Sequence, residues 1–348
     1  MNGLKRSKLL QILESLKSLN VMVVGDFALD VYWYADMTRS ELSRETPHYN
    51  RPIVRETYSP GASGNICSNV KALGVSSVFA ATVLGEDWRG RILTEKLQEN
   101  DMLLDWLIES PERVTSTYIK PTLCGWDSQQ EDSRLDFVNY KPLSEDLENR
   151  LIENIRSAMP RVDAVIVEDQ MTQNGIVTDN IRECLMQLAE EHPEKTFVAD
   201  SRERIGLFRD MILKPNRIEA VKAVTPARNP LEVGMDELPK IGRELQRRAR
   251  QPIYVTLGEK GVLLITDAEF HHLPAAPTKP PIDPVGAGDT FIATIGASLA
   301  GGATPVEAGI MANLAAGVIL KKLHTTGTAS PEEILKKFDE VAEKDEWP

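Results

Sequence analysis

The chain has 348 residues, of which 42% are hydrophobic and 26% are charged. Its formal net charge of −12 at pH 7 disfavours nucleic acids and anionic membranes as partners. The three cysteines, Cys67, Cys124 and Cys184, are too far apart to predict a disulfide framework or a zinc site, which suits a reducing cytoplasm. No apolar run reaches the roughly 18–20 residues of a membrane span, so we expect a globular, cytoplasmic protein.

Short β-branched runs alternate with longer amphipathic stretches along most of the chain. Near the N-terminus, Leu9, Ile12, Leu13 and Leu16 have helical spacing. Strands are expected at 21–25, 77–85, 163–169, 196–200 and 253–258. Helices are expected at 65–73, 90–100, 144–159 and 178–191. This order predicts an α/β fold with a mostly parallel sheet that is covered by helices on both faces.

Two segments, 33–59 and 115–137, interrupt this alternation. Both are polar and lack a helical period, and the first is punctuated by prolines. We expect them to form short strands of a small subdomain that is inserted into a single domain spanning residues 1–348.

Polar residues follow the predicted strands, at the sheet edge where ligands bind in parallel α/β sheets. The candidates by position are Asp26, Asp30, Glu168, Asp169, Asp200 and Asn216. The motifs GDFALD (25–30) and SPGASGN (59–65) combine carboxylates, an amide and glycines, which suits the hydroxyl groups of a polyol. Each of these motifs alone is also typical of a plain turn.

The motif DPVGAGDTF, residues 283–291, runs directly into a helix-like stretch. The backbone N–H groups of Gly286, Ala287, Gly288 and Asp289 at such a helix start predict an anion hole for phosphate oxygens. The Asp289 carboxylate suits a base that accepts a proton from a hydroxyl attacking a phosphoryl group. The alternative is a helix start that Asp289 only caps. The chain has no G-x-x-x-x-G-K-[ST] motif and therefore no P-loop.

Two further motifs are open to two interpretations. In KPNRIEA (214–220), Asn216 and Glu219 are spaced to share one helix face, where they could hold a magnesium-bound water and nucleotide phosphate. The same pair also fits a capping box. The motif TLGEKG (256–261) is either a hairpin turn or a segment that lies along a nucleotide.

In chain order, the motifs GD…D, PGxxxN, GEDWRG, KPNxxE, VTLGEKG and DPVGAGD resemble those of the PfkB/ribokinase-like family of sugar kinases. Within this family, GDFALDVYWYAD, RLDF at 134–137, LKPN and the closing TTGTASPEEIL are most similar to D-glycero-β-D-manno-heptose 7-phosphate kinases. The resemblance implies a three-layer α/β/α sandwich with a small β-sheet lid that is often used for dimerisation. It also implies ATP as the phosphoryl donor, Mg²⁺ as its counter-ion and a sugar or sugar phosphate as the acceptor.

Motif by motif, the resemblance implies a role for each candidate residue. Asp289 becomes the base, and Gly286, Ala287 and Gly288 become the anion hole. The acceptor positions are Asp30, Gly61 and Asn65, to which the strand-end residues Asp26 and Asp169 are added. The nucleotide positions are Asn216, Glu219, Thr256, Gly258 and Asn313. Glu219 would hold Mg²⁺ through water, and Asp283 opens a segment that often helps to bind a monovalent cation such as K⁺.

Two departures from the family pattern fall on the acceptor side. The usual PGG pair is Gly61-Ala62 here, and the Asp-Tyr-x-Lys-Gly-like run is DQMTQ at 169–173, which lacks the basic residue. The acceptor is therefore open between heptose 7-phosphate and another acceptor, such as ribose, fructose phosphate or a nucleoside. A non-catalytic sugar or nucleotide sensor and an oligomeric scaffold are the alternatives from other classes. Whether Arg39, Arg44 or Arg134 meets a phosphate on the sugar is also open. Because the chain ends soon after the resemblance does, we expect a single activity.

Overall fold

The computed structural model describes residues 3–323 and 326–342; Thr325, the first residue of TTGTASPEEIL, lies outside them. The strands of the described chain are β1 (Asn20–Gly25), β2 (Phe27–Asp36), β3 (Ile53–Ala62), β4 (Ser77–Gly85), β5 (Leu103–Ser110), β6 (Thr117–Cys124), β7 (Gln129–Glu131), β8 (Leu135–Phe137), β9 (Ala164–Asp169), β10 (Thr196–Ser201), β11 (Ile212–Leu213), β12 (Ile253–Thr256), β13 (Val262–Ile265) and β14 (Phe270–Leu273). The helices are α1 (Arg6–Leu16), α2 (Ser63–Ala72), α3 (Trp88–Glu99), α4 (Glu145–Ala158), α5 (Asp179–Glu191), α6 (Arg217–Val224), α7 (Leu238–Ala249), α8 (Ala287–Ala300), α9 (Pro305–Ile319) and α10 (Pro331–Ala342).

The larger sheet has the strand order β14-β13-β12-β11-β10-β9-β1-β4-β5. All neighbours pair in parallel except β12–β13 and β13–β14, which are antiparallel. The central strands β1 and β9 are almost wholly buried, as the continuous apolar runs of a sheet covered on both faces require. The five predicted strands are confirmed, although β12 ends at Thr256 because a 3₁₀ turn begins at Gly258.

Helices cover both faces of this sheet. One buried apolar cluster joins α1, α2, α3, α8, α9 and α10 to one face, and a second joins α4, α5, α6 and α7 to the other. In α1 the buried residues are Leu9, Ile12, Leu13 and Leu16, as their spacing predicts. The three-layer α/β/α architecture is thereby confirmed. In the part of the chain that the structure describes, no helix combines the length and apolarity needed to cross a bilayer.

A second, smaller sheet has the order β3-β2-β6-β7, with β8 also paired to β6. Its strands come from the two segments that interrupt the α/β pattern, but β2 begins at Phe27 and β3 continues to Ala62. Of the predicted acceptor residues, Asp30 and Gly61 therefore lie in the small sheet, whereas Asn65 lies in the first turn of α2. Gly25 allows the end of β1 to lie close to β9, because a side chain at its φ of +144° would lie 2.1 Å from the Glu168 carbonyl oxygen.

Ala62 connects β3 to α2 in a conformation that glycine adopts far more readily than alanine. Its φ is +50° and its ψ is −126°. Such a backbone conformation destabilises a residue with a Cβ atom by about 1–3 kcal/mol. The departure from PGG at Gly61-Ala62 thus leaves the local backbone in a glycine-like conformation and adds strain.

We expect the Ala62→Gly variant to be more stable than the wild type, by about 1 kcal/mol. Relief of the strain outweighs the extra freedom that glycine gives the unfolded chain, which opposes it by about 0.4–1 kcal/mol. Urea unfolding measures the difference. Ala72→Gly, at the end of the same helix and without a positive φ, is the control and is expected to be destabilising. Equal losses of stability in both variants would contradict the strain at Ala62.

Candidate active site

The site lies where the carboxyl ends of β9, β10 and β11 face the first turn of α8. Asp289 is the third residue of this helix. The chain enters the helix through Gly286, whose φ of +78° lies in the left-handed region. A Cβ atom at Gly286 would lie 3.1 Å from Nδ2 of Asn65, so the glycine allows α8 and α2 to approach closely here.

A hydrogen bond between two helices orients the Asp289 carboxylate. Nδ2 of Asn65, in the first turn of α2, donates to Oδ2 of Asp289 at 2.6 Å. Asn69 lies one helical turn after Asn65, and its Oδ1 accepts from the Thr290 hydroxyl at 2.7 Å. This second hydrogen bond fixes the two helices to each other. Oδ1 of Asp289 accepts no hydrogen bond from the described residues, and the side chain is partly exposed. Removal from water raises the pKa of Asp289 to about 6, although Asn65 and Lys214 oppose the shift.

The first turn of α8 presents free backbone donors beside this carboxylate. The N–H groups of Gly286, Gly288 and Asp289 donate to no acceptor within the described residues. The Ala287 N–H differs, because it donates to the Pro284 carbonyl at 3.1 Å. The predicted anion hole thus retains its donors at Gly286, Gly288 and Asp289, and in this structure Ala287 serves the turn that leads into the helix.

Lys214 places a buried positive charge among the carboxylates at this edge of the sheet. Its Nζ lies 2.5 Å from Oδ2 of Asp200, and the residue is 4% exposed. Burial alone disfavours its charge, but the carboxylates of Asp200, Glu219 and Glu168 outweigh burial and raise the pKa of Lys214. Its Nζ also lies 3.9 Å from where a Cβ of Gly288 would be, so it lies beside the first turn of α8. Lys214 was not among the residues predicted from the sequence, although it stands two residues before Asn216 in the same motif.

Glu168 is a buried acid in the same cluster. It is 3% exposed, and its Oε2 has no hydrogen-bond partner in the described chain. Burial, followed by the nearby charges of Asp200 and Asp289, raises the pKa of Glu168 well above its usual value. The cluster therefore contains more carboxyl groups than cations, and Lys214 is a cation that lies among them.

Asn216 and Glu219 form the capping box that the sequence analysis kept as an alternative. Oδ1 of Asn216 accepts from the Glu219 N–H at 3.0 Å, and Oε2 of Glu219 accepts from the Asn216 N–H at 2.7 Å. Oε1 of Glu219 accepts no hydrogen bond from the described residues, so the cap leaves this oxygen available. Burial and the charge of Asp200 raise the pKa of Glu219 to about 7.

The described residues fit a magnesium ion that is held through water rather than in a protein cage. They contain no group of three or more His, Cys, Asp or Glu residues arranged to hold a metal ion. Mg²⁺ usually keeps several waters and is bound by one or two carboxylates together with substrate phosphates. Oε1 of Glu219 is a ligand of that kind, beside the cleft described next.

A cleft of about 480 Å³ ends at the first turn of α8. Thr256, Gly258, Asn313, Phe291 and Gly288 are among its lining residues, and most of the lining is apolar. A flat apolar ligand in this cleft would place an attached anionic group at the start of α8. The motif TLGEKG is a hairpin connection between β12 and β13, and it also forms one wall of the cleft.

Asn313 also supports the structure of the cleft. Its Nδ2 donates to the carbonyl oxygens of Leu273 at 3.2 Å and Pro274 at 2.9 Å. The amide therefore holds the chain after β14 against α9. Its role toward a nucleotide stays a prediction.

On the other side of Asp289, the small sheet contributes Asp30. Burial raises the pKa of this carboxyl, and Lys120 opposes the shift through an ion pair of 3.2 Å. Nζ of Lys120 also donates to the Tyr32 hydroxyl at 3.3 Å. A Cβ atom at Gly61 would lie 3.0 Å from the Asp30 carboxyl carbon, so a glycine keeps this approach open. Lys120, which lies on the neighbouring strand β6 in register with Tyr32, was not predicted from the sequence.

Asp26 and Asp169 hold loops in place. Both oxygens of Asp26 accept backbone N–H groups, from Met171 and Ile176, each at 2.7 Å. Asp169 accepts from the Ser201 hydroxyl at 2.6 Å and forms an ion pair with Arg204. The cation missing from DQMTQ is thus supplied by the next loop. We leave both aspartates out of the acceptor site that we propose below.

The remaining candidates also have local partners. Oδ1 of Asp283 accepts from the Val285 N–H at 3.0 Å, so this carboxylate shapes the turn before the anion hole, and its role toward a cation stays a prediction. Arg134 forms an ion pair with Asp136 at 2.6 Å, and Arg39 forms one with Asp36 at 3.0 Å. Arg44 is exposed.

Comparison with known proteins connects this geometry to a family. The model of the pfkB family of carbohydrate kinases matches residues 18–333. The bifunctional protein HldE of Syntrophotalea carbinolica is 28% identical over 333 residues, which cover 94% of this chain and 65% of that protein. HldE of Paramagnetospirillum magneticum is 30% identical over 323 residues, which cover 92% of this chain and 63% of that protein. The chain thus spans less than two thirds of the length of these relatives.

Solved structures share the fold. Phosphofructokinase-2 from Escherichia coli, in complex with potassium, has a TM-score of 0.70 at 17% identity and covers 93% of this chain and 99% of its own. Ribokinase from Arabidopsis thaliana, complexed with ribose and ATP, has a TM-score of 0.66 at 20% identity and covers 92% of this chain and 98% of its own. With a family match over most of its length and these neighbours in fold, the chain belongs to the pfkB family of carbohydrate kinases.

Proposed function

We propose that this kinase transfers the γ-phosphoryl group of ATP to a hydroxyl of a sugar phosphate, with Asp289 as the general base. The observation that carries the proposal is the placement of Asp289. Its carboxylate is held by Asn65 at 2.6 Å, beside the free N–H groups of Gly288 and its own backbone. A carboxylate is a poor ligand for an anion, but it suits a hydroxyl that must lose its proton while attacking phosphorus.

The proposed reaction needs little covalent chemistry from the protein. The acceptor oxygen forms a bond to the γ-phosphorus while the bond to the leaving ADP oxygen breaks, and the acceptor proton passes to Oδ1 of Asp289. With a pKa of about 6, Asp289 is ionised at pH 7 and still basic enough to accept this proton. The N–H groups of Gly286, Gly288 and Asp289 would stabilise the charge on the transferring oxygens without reorganisation.

The large cleft would bind ATP, with its adenine between the apolar walls and its phosphates toward α8. Thr256, Gly258 and Asn313 are the proposed nucleotide contacts, and Lys214 provides positive charge near the transferring group. When bound, Mg²⁺ would neutralise phosphate charge, and Glu219 would hold it through water. Asp283 is the proposed contact for a monovalent cation such as K⁺.

Heptose 7-phosphate is our first choice for the acceptor. The motif resemblance to heptose 7-phosphate kinases and the similarity to HldE proteins support it. Asp30, Gly61 and Asn65 are the proposed contacts to its hydroxyl groups. The low aromatic content of 6% offers few rings on which a nucleobase could stack, and this favours a sugar over a nucleoside as the acceptor.

We further propose that the small sheet acts as a lid and as the contact surface of a homodimer. Several large apolar side chains of this sheet and its loops are exposed, including Ile53, Val54 and Trp126, the last of which is 89% exposed. Closure over the acceptor would exclude water and suppress hydrolysis of ATP. A second copy would cover the apolar side chains.

ADP release from ATP-Mg²⁺ with a panel of sugars and sugar phosphates tests the function. We expect turnover with heptose 7-phosphate, and we expect it to be lost in Asp289→Asn. Turnover only with ribose or fructose 6-phosphate would keep the kinase mechanism and replace the acceptor. Nucleotide binding without turnover on any member of the panel would favour a sensor on the same fold.

A further inference from the structure

A second cavity, of about 230 Å³, adjoins the acceptor side of the site. We call it the Arg113 pocket, after the residue that lines it together with Ser116, Asn139 and the loop 171–176. Tyr118, which pairs in register with Asp30 on the neighbouring strand β6, donates through its hydroxyl to Sδ of Met171 in the pocket lining at 3.4 Å. The pocket is therefore within reach of one small ligand that also contacts Asp30.

Arg113 is a buried cation without a carboxylate partner. It is 6% exposed and forms no ion pair within the described residues. Two of its N–H groups donate to the carbonyl oxygens of Lys141 at 3.1 Å and Asn174 at 2.7 Å, and its Nε has no hydrogen-bond partner among those residues. An arginine keeps its charge when buried, and an unpaired buried charge is unfavourable. The pocket therefore favours an anion.

Three other cations on this side of the site are paired with carboxylates. These pairs are Lys120 with Asp30, Arg134 with Asp136, and Arg204 with Asp169. Arg113 differs from them because it is buried and forms no ion pair with a described residue.

The loop 171–176 adds backbone donors to the same cavity. The carbonyl oxygens of Met171 and Thr172 accept from Arg204, which does not line the pocket. Because the C=O and N–H of a trans peptide point in opposite directions, the N–H groups of Thr172 and Gln173 point away from Arg204. Neither donates to an acceptor in the described chain. Successive free N–H groups of this kind form an anion-binding concavity.

We propose that the Arg113 pocket binds the phosphate group that the acceptor already carries, through the guanidinium and the loop N–H groups. This inference rests on the proposed function, because the pocket adjoins the proposed acceptor site. Asp26 is the carboxylate in its lining, and both of its oxygens are engaged by backbone N–H groups, so it anchors the loop. With its phosphate in the Arg113 pocket, the acceptor extends past Asp30. A hydroxyl at the end of the acceptor away from the phosphate then reaches Asp289.

Two variants and one control test the pocket. Arg113→Gln removes the charge, while Gln173→Glu adds a negative charge at the exposed mouth of the pocket and is isosteric, so it should fold normally. Gln130→Glu makes the same change on the exposed strand β7, away from the pocket, and is the control. Inorganic phosphate is titrated into each protein without nucleotide, by calorimetry and by melting temperature, with acetate at equal ionic strength as the second anion.

We expect phosphate to bind and stabilise the wild type and Gln130→Glu more than acetate does. Arg113→Gln should weaken phosphate binding by about 10–100-fold, the range for lost charge-assisted hydrogen bonds, and Gln173→Glu should weaken it several-fold. In turnover, KM for a phosphorylated acceptor should rise in both variants, with kcat largely retained and KM for the unphosphorylated sugar unchanged. A failure of phosphate to stabilise the wild type would overturn the proposed phosphate site. Equal affinity of phosphate for Gln173→Glu and Gln130→Glu would also overturn it. Loss of all kinase activity with phosphate binding intact would instead count against the proposed function alone.

Discussion

The Asp289→Asn variant is expected to turn over about 10²–10⁴-fold more slowly than the wild type, the range for loss of a general base. The amide is the same size as the carboxylate, and its oxygen can still accept the hydrogen bond from Asn65. It cannot take up the acceptor proton. Nucleotide binding should therefore change little, and single-turnover measurements with saturating ATP would isolate the loss in the chemical step. Turnover close to the wild-type value would remove Asp289 from the mechanism.

The pH profile separates this role from general damage to the site. Because the base must be ionised, kcat/KM of the wild type should rise with pH, with a midpoint near the pKa of about 6, and level off above it. In Asp289→Asn the residual activity should lack this rise. Asp127→Asn, a matched change at an exposed position of the small sheet's loop, should keep both the rate and the profile.

The residues of the proposed phosphoryl-transfer site were predictable because they stand in short, contiguous motifs. Gly286, Gly288 and Asp289 are neighbours in the chain, and a glycine-rich turn before a helix is typical of an anion site, although the same pattern also fits a plain helix start. The alternation of apolar runs predicted β9 and β10, whose carboxyl ends contribute to the site, but it did not predict β11, which has only two residues.

The rest of the site depends on contacts between distant parts of the chain, which no local pattern reports. Asp26 stands at a strand end, where a ligand-binding residue is expected. Its carboxylate instead accepts hydrogen bonds from a loop that lies about 145–150 residues away in the sequence. The cation missing from DQMTQ is Arg204, on a different loop. Ala62 has a positive φ, which the sequence pattern does not report. Of the two acceptor-side departures, the missing basic residue thus has a cation from another loop beside it, whereas Ala62 leaves strain in the backbone.

Lys214 places a buried positive charge beside the carboxylates at this edge of the sheet. Removal of this charge should affect stability more than any other single change considered. We expect Lys214→Met to lower the free energy of unfolding by about 3–5 kcal/mol, the usual effect of removing one partner of a buried ion pair. Methionine fills the space of the lysine stem, so the effect should come from the charge that is lost. Denaturant unfolding at pH 8 measures it. Lys336→Met, which removes an exposed lysine on α10, should change stability by less than about 0.5 kcal/mol.

The sign of the pH dependence distinguishes this electrostatic origin from a packing defect. Without Lys214, the carboxyls of Glu168 and Glu219, whose pKa values burial already raises, should bind protons more tightly in the folded protein than in the unfolded chain. Stability therefore falls as pH rises through that range, and the deficit of Lys214→Met should shrink between pH 8 and pH 5. Adding Asp200→Asn should recover part of the loss at pH 8, because it removes the carboxylate 2.5 Å from the missing charge. A deficit that is independent of pH and is not relieved by Asp200→Asn would mean that Lys214 stabilises the site by packing alone, and that the carboxylates around it do not need its charge.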